Sequence, residues 1–339
     1  MAKASKKFEA AAEDLHLALI PKPSHSLFWN STLFSDVYLQ NDVPVVYDSL
    51  WNADDAAFQT FLEQFRNYCE TFVGENPSTW SERTTIDRAI KPILRMLGWN
   101  SSEKTSLDPW LEDESFTFEE TEGNRTYKPD FIVVDHHKQL KHIQQKKGYE
   151  KLEEARRQSN TPGGVILTVE AKYWDRIEEY RQNKKEDSKR ADKRDTTESS
   201  RGLDFDDQCL KYMQMLNNEY GVLTDGKTWR LYNLSSTTQS HKPYFQFNLG
   251  HLIKHVNNSD FLKNDPDYAL FVEQVKYFYF IFRKAALYSA DGKELFVDEL
   301  LNYSKKYVSQ VEEDLKNRFV NAMSIACNGF MRAAMCWPV

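Results

Sequence analysis

Three residues have types and positions that suit chemistry. Asp130 follows Pro129 at the start of an apolar run, "YKPDFIVVD", and Glu170 and Lys172 stand toward the end of another, "GGVILTVEAKYW". Strand side chains alternate faces, so Glu170 and Lys172 project together while Val169 and Ala171 turn to the other side. A carboxylate and an ammonium on one face of an apolar strand is not what a core strand needs. Burying either costs roughly several kcal/mol unless it is paired or bound to a metal. If the two strands are neighbours, Asp130 and Glu170 can share one divalent cation. Hard oxygen ligands and water suit Mg²⁺, with Mn²⁺ as a substitute, and the carbonyl of Ala171 could be a third protein ligand. The cation would acidify a bound water and offset charge on a scissile phosphate. Lys172 would orient that water and stabilise the negative charge that develops. The plain alternative is a Glu170–Lys172 salt bridge on an edge strand, with Asp130 as a strand-entry turn residue. Pro-Asp recurs at Pro266-Asp267 in a helix-start context, but Glu-x-Lys occurs once, in the most strand-like run of the chain.

The elements that must position these residues are readable from periodicity. Phe58 to Val73 repeats apolar residues at helical spacing. "SERTTIDRAIKPILRMLGW" predicts a second helix with Ser81 as N-cap and Gly98 near its end. Pro92 inside it predicts a kink or a break. Phe116 to Glu120, Lys128 to Asp135 and "VILTVEAKYW" read as strands. "LDFDDQCLKYMQMLNNEY" restores helical periodicity, and "DYALFVEQVKYFYFIFRKAAL" is apolar on most faces, as a buried helix is. "KELFVDELLNYSKKYVSQVEEDLKNRFVNAMSIACNGFMRA" is one long amphipathic pattern. The N-terminal "MAKASKKFEAAAEDLHLAL" also reads as an amphipathic helix, without a secretory apolar core.

Gly221 to Thr228, G-V-L-T-D-G-K-T, matches the G-x-x-x-x-G-K-[ST] phosphate loop letter for letter. Such a loop must leave a strand and open directly into a helix, so that backbone N–H groups wrap the anion. Here Gly221 to Thr224 is itself strand-like, and Asp225-Gly226 signals a hairpin of type I′. The following "KTWRLYN" is aromatic and β-branched, which makes it a strand. The match is accidental.

Composition sets the outer bounds. The chain has 339 residues, 40% of them hydrophobic, with 21 Phe, 17 Tyr and 8 Trp, ample for a packed core. No apolar run approaches the roughly 18 residues of a membrane span. Cys69, Cys209, Cys327 and Cys336 follow no metal-ligand or disulfide spacing, which implies a reduced, cytoplasmic protein. Net charge is −7, yet from His136 to Arg201 17 Lys and Arg outnumber 12 Asp and Glu. Asp175 to Gly202 is crowded with charge, and from Lys184 onward it is almost free of apolar residues and is expected to be mobile. A basic stretch on an acidic protein is either a solvated surface or one that faces phosphates. His136, His137 and His142 have no matching ligand set around them and are expected to be solvated.

Pro129-Asp130 with Glu170-Ala171-Lys172 resembles the signature of the PD-(D/E)XK nuclease superfamily. Gln208 to Tyr212, "QCLKY", supplies the Q-x-x-x-Y of the following helix in several of its branches. The hairpin "YGVLTDGKTWRLYN" resembles the next segment in N-terminal nuclease domains of type IIG restriction–modification enzymes and type I restriction subunits. "SERTTIDRAIKPILRMLGW" resembles their opening helix, so the likeness runs from Ser81 to Asn233 with its motifs in order. It implies an α/β, restriction-endonuclease-like core: a mixed β-sheet flanked by helices, plus a C-terminal helical region. It also implies Asp130 and Glu170 as metal ligands and Lys172 as the catalytic lysine. Glu82 would be the first-helix acid that points into the site, although an acid in a first turn also favours the helix dipole. Gln208 and Tyr212, one helical turn apart, would reach water or substrate phosphate. Relative to tighter family members, Asp130 and Glu170 stand 40 residues apart, with a charged insertion between them.

The implied function is Mg²⁺-dependent hydrolysis of phosphodiester bonds in double-stranded DNA within a restriction–modification system. The expected layout is a helical segment over 1–75 packing on a nuclease core over 76–250, then a helical connector over 251–339. No methyltransferase motif is present, so recognition and methylation would reside on a further C-terminal region or a separate subunit. Dimerisation would serve double-strand cleavage, because one such site cuts one strand. A repair or recombination nuclease of the same fold, or an inactive DNA-binding module, are the other readings.

Overall fold

The computed structural model describes residues 28–48, 56–99, 110–111, 118–120, 125–127, 129–134, 137–159, 165–178, 204–238, 240–250, 252–253, 266–289 and 291–335. The expected N-terminal amphipathic helix, His136 and most of the charged stretch 175–202 lie outside these residues.

A seven-stranded mixed sheet forms the centre, in the order β1-β9-β8-β7-β6-β5-β2. Its strands are β1 (Phe28–Ser31), β2 (Trp110–Leu111), β5 (Phe131–Val134), β6 (Val165–Ala171), β7 (Tyr220–Thr224), β8 (Thr228–Asn233) and β9 (Tyr244–Asn248). β3 (Phe118–Glu120) and β4 (Arg125–Tyr127) pair separately. Only β6 and β7 run parallel; each other neighbouring pair is antiparallel. Strand β1 pairs along β9 within the stretch expected to be purely helical. Its four residues, "FWNS", are too short for a period to show in sequence.

Helices cover both faces. In chain order they are α1 (38–46), α2 (Ala56–Glu70), α3 (82–96), α4 (His137–Gln144), α5 (Gly148–Gln158), α6 (Phe205–Leu216), α7 (Pro266–Phe282), α8 (Lys284–Leu287) and α9 (Phe296–Met335). One face of the sheet presents Phe131, Val169, Val222, Leu231 and Phe247 to a core shared with α2, α3 and α7. That core takes residues from all three expected segments. Phe278 of α7 packs against Trp229 and Phe247, and Tyr279 against Phe61. The opposite face, with Ile132, Val134 and Leu223, is covered by α4, α5 and α6.

Two local features need a physical account. Where Pro92 predicts a kink or a break, a wider π turn at Ile86–Ile90 divides α3 into two α-helical pieces, and the Lys91 N–H bonds the Ile86 carbonyl. Proline lacks a donor and crowds the carbonyl four residues back, and the wider turn relieves both problems. The hairpin turn is also displaced by one residue. The Asp225 N–H bonds the Thr228 carbonyl, so Gly226 and Lys227 are central, and only Gly226 has a positive φ, of 80°. Glycine at the first central position is the type II′ pattern rather than type I′. Thr228 opens a strand, which removes the phosphate-loop geometry.

Candidate active site

The PD proline has a physical use in the sheet. Phe131 pairs with Val169, so the register carried two residues onward sets Pro129 opposite Ala171. The N–H of Ala171 points to that side, since the next residue, Lys172, donates to Thr224 on the β7 side at 2.8 Å. Proline has no N–H to return to the Ala171 carbonyl. The ladder therefore ends here, and Asp130 Oδ2 accepts the Ala171 N–H at 2.8 Å. The Asp130 carboxyl is thereby folded over the end of β6.

Glu170 lies on the face covered by α6 and is 1% exposed. Its Oε1 accepts from Lys172 Nζ at 2.5 Å, and Lys172 is 12% exposed. Burial drives the Glu170 pKa well above the usual carboxylate range, and the Asp130 charge adds to the rise while Lys172 opposes it. The Asp130 carboxyl is thus close enough to act on Glu170 electrostatically. Two ionised carboxylates side by side repel and offer each other no donor. Glu170 Oε2 is correspondingly buried with no hydrogen-bond partner. An orphaned acceptor against a second carboxylate is where a proton or a cation belongs.

Burial alone would depress Lys172, but Glu170, Asp130 and Glu82 together hold it above its ordinary value. It stays an ammonium. Glu82, in the first turn of α3, is thus within electrostatic reach of the site from a distant part of the chain. Ser81 caps that helix by accepting the Thr84 N–H at 3.1 Å. At its far end, Gly98 has a φ of 81° and the Trp99 N–H returns to Leu94. Thr85, fully buried, accepts the Trp174 N–H at 3.2 Å, tying α3 to the chain just beyond Lys172.

Helix α6 closes the site from the other side. It approaches β7 so closely that a methyl group at Gly221 would lie 2.3 Å from the Met213 sulfur. Gln208 and Tyr212 meet each other, Gln208 Nε2 donating to the Tyr212 hydroxyl at 3.1 Å. Tyr212 is not a solvated polar residue: its ring is buried with Ile132, Val134 and Leu216. Two neighbours on this helix carry no motif. Phe205 places its ring 5.3 Å from Lys172 Nζ. The Cys209 thiol is pushed up by burial and by the charges of Glu170 and Asp206, which makes it an inert wall. Both contacts bridge residues far apart in sequence, so no local pattern announces them.

Asp130 holds the Ala171 N–H, one residue beyond Glu170, and the buried Glu170 Oε2 has no hydrogen-bond partner, as a cation ligand would require. Among the described residues no group of three or more His, Cys, Asp or Glu side chains gathers to hold a metal. Hard cations accept carbonyl and water oxygens at their remaining positions, so two carboxylates suit Mg²⁺. Also among the described residues, no helix is long and apolar enough to cross a membrane. No protein-family model, curated protein or solved structure matches the chain, which leaves the geometry of Asp130, Glu170 and Lys172 as the ground for a function.

Proposed function

We propose that this chain is a Mg²⁺-dependent endodeoxyribonuclease with a restriction-endonuclease-like core, acting in a restriction–modification system. The observation that carries the reading is the buried Glu170 Oε2, without a partner, on a side chain that feels the Asp130 charge and pairs with an ammonium.

Asp130 and Glu170 would hold the cation, with the Ala171 carbonyl as the backbone ligand. When bound, the cation supplies Lewis acidity toward water and the scissile phosphate. Lys172, kept charged by three carboxylates, lies beside the place where negative charge would build on phosphate. The Lys172 ammonium, paired with Glu170 Oε1, has further N–H donors that could serve water or phosphate. Glu82 balances that charge from α3. Gln208, half-buried on α6, offers an amide at the same end of the helix as Phe205. Double-stranded DNA is the proposed substrate, with sequence recognition and methylation supplied by a further region or another subunit.

The test is nicking of supercoiled plasmid with and without Mg²⁺ by the wild type, Asp130→Ala and Lys172→Ala. Metal-dependent nicking that both substitutions abolish supports the site. Equal nicking in all three proteins would reject it.

A further inference from the structure

Helix α9 carries an apolar stripe, and among the described residues the body of the protein covers only its beginning. Val297, Leu300 and Ser304 are buried. Val308, Val311, Leu315 and Phe319 continue the stripe at the same steps of 4, 3, 4 and 4 residues. These four are exposed, Leu315 by 60% and Phe319 by 67%. Val297, Val308 and Phe319 are related by an eleven-residue repeat, which at about 3.67 residues per turn keeps the stripe on one face of a nearly straight helix. From Val308 to Met323 the helix extends about 24 Å in this state. An isolated helix is marginal in water, and apolar faces of this length are normally covered.

The charges beside the stripe indicate what covers it. Glu312 and Lys316 border it on one side, while Asp314 and Arg318 border the other and pair with each other at 2.9 Å. We propose that this arm docks antiparallel against the same arm of a second copy of the chain. In an antiparallel pair each border meets its own counterpart. With the two-fold axis at Asp314, Glu312 of one arm is level with Lys316 of the other, twice by symmetry, while Asp314, level with its own copy, is paired with Arg318 of its own helix. The same register sets each stripe residue between two of the partner's, so the two rows interdigitate. Four large apolar side chains per arm, at roughly 100 Å² each, bring the buried surface with its flanks to about 1,000 Å², the lower bound of specific interfaces. The contact is isologous and closes on itself, giving a dimer rather than a filament. It is independent of the chemistry proposed for Asp130 and Glu170.

The test is sedimentation velocity on the full chain from about 1 to about 100 μM, where mass action must shift a monomer–dimer equilibrium. The wild type should become dimeric, and the Leu315→Glu/Phe319→Glu variant should remain monomeric with an unchanged melting temperature for the body. Glu312→Lys and Lys316→Glu should each weaken association by about 5-fold, and the double exchange should restore it. A wild type that stays monomeric overturns the proposal. So does a dimer that survives Leu315→Glu/Phe319→Glu, or a double exchange that fails to restore what the single ones lose.

Discussion

The carboxyl of Asp130 accepts the Ala171 N–H at 2.8 Å while standing within reach of Glu170, one residue earlier on the same strand. One acid thus ends the β5–β6 ladder and confronts the other, which the fold has already buried. Removing either carboxylate should affect cleavage very differently from removing a surface acid. Asp130→Asn and Glu170→Gln should each lower Mg²⁺-dependent plasmid nicking by at least about 100-fold, and Glu150→Gln on the exposed face of α5 should leave it unchanged.

On the proposed reading a proton and a cation would compete for the buried Glu170 carboxylate. Its folded-state pKa is raised by burial and by Asp130. A raised acid contributes stability that is complete below its unfolded value of about 4.3, and this is lost as pH rises through the folded value. A cation binding the ionised form restores it. Added Mg²⁺ should therefore raise the melting temperature more at about pH 8 than at about pH 5. In Glu170→Gln the increment should vanish at both. Calorimetry showing equal increments at both pH values in the wild type would count against cation binding here.

Asp225 titrates for a different reason. Its carboxylate accepts the N–H groups of Thr228 at 2.6 Å, Ile177 at 2.9 Å and Lys227 at 3.0 Å. Burial pushes it up to about 7, against the backbone donors of Thr228 and Ile177. Because the folded value is raised, its contribution to stability should decline as pH climbs from about 4 to about 7. Asp225→Asn should flatten denaturant midpoints across that window, at the cost of one accepted hydrogen bond.

Phe205 positions Lys172 rather than reacting. Replacing its ring with leucine removes the cation–π contact but leaves apolar cover. Phe205→Leu should lower the nicking rate at saturating DNA by about 10-fold with little change in DNA affinity, and Phe205→Tyr should recover it. Affinity measured by fluorescence anisotropy separates this from a folding defect.

The close approach of α6 to β7 sets the position of the helix that carries Gln208. Gly221→Ala forces its methyl into Met213 and should cost about 1–3 kcal/mol of stability. Met213→Ala in the same chain should recover part of that loss in urea melts.

The candidate site was legible in sequence where its geometry is local. Glu170 and Lys172 share a face because strands alternate, and Ser81 and Gly98 bound α3 by capping rules that operate within one turn. The hairpin was visible as well, but its central pair was misassigned by one residue. Asp-Gly is a strong signal of positive φ at both positions, whereas here the Asp225 side chain is held by three backbone donors, one of them from the distant Ile177. Contacts made across the sheet were not legible. The ring of Phe205 over Lys172, the Cys209 wall and strand β1 on β9 all depend on which elements become neighbours. The stripe on α9 was readable as an amphipathic pattern, but only the structure separates the turns that the body covers from those it leaves bare.

Pro129 holds the entrance of the site apart by subtraction. A residue with an N–H at that point would zip β5 to β6 by one further rung, draw the Ala171 carbonyl into the sheet and crowd Asp130 away from Glu170. The imino acid acts as a doorstop at the end of the β5–β6 ladder, and its contribution lies in the bond it cannot make.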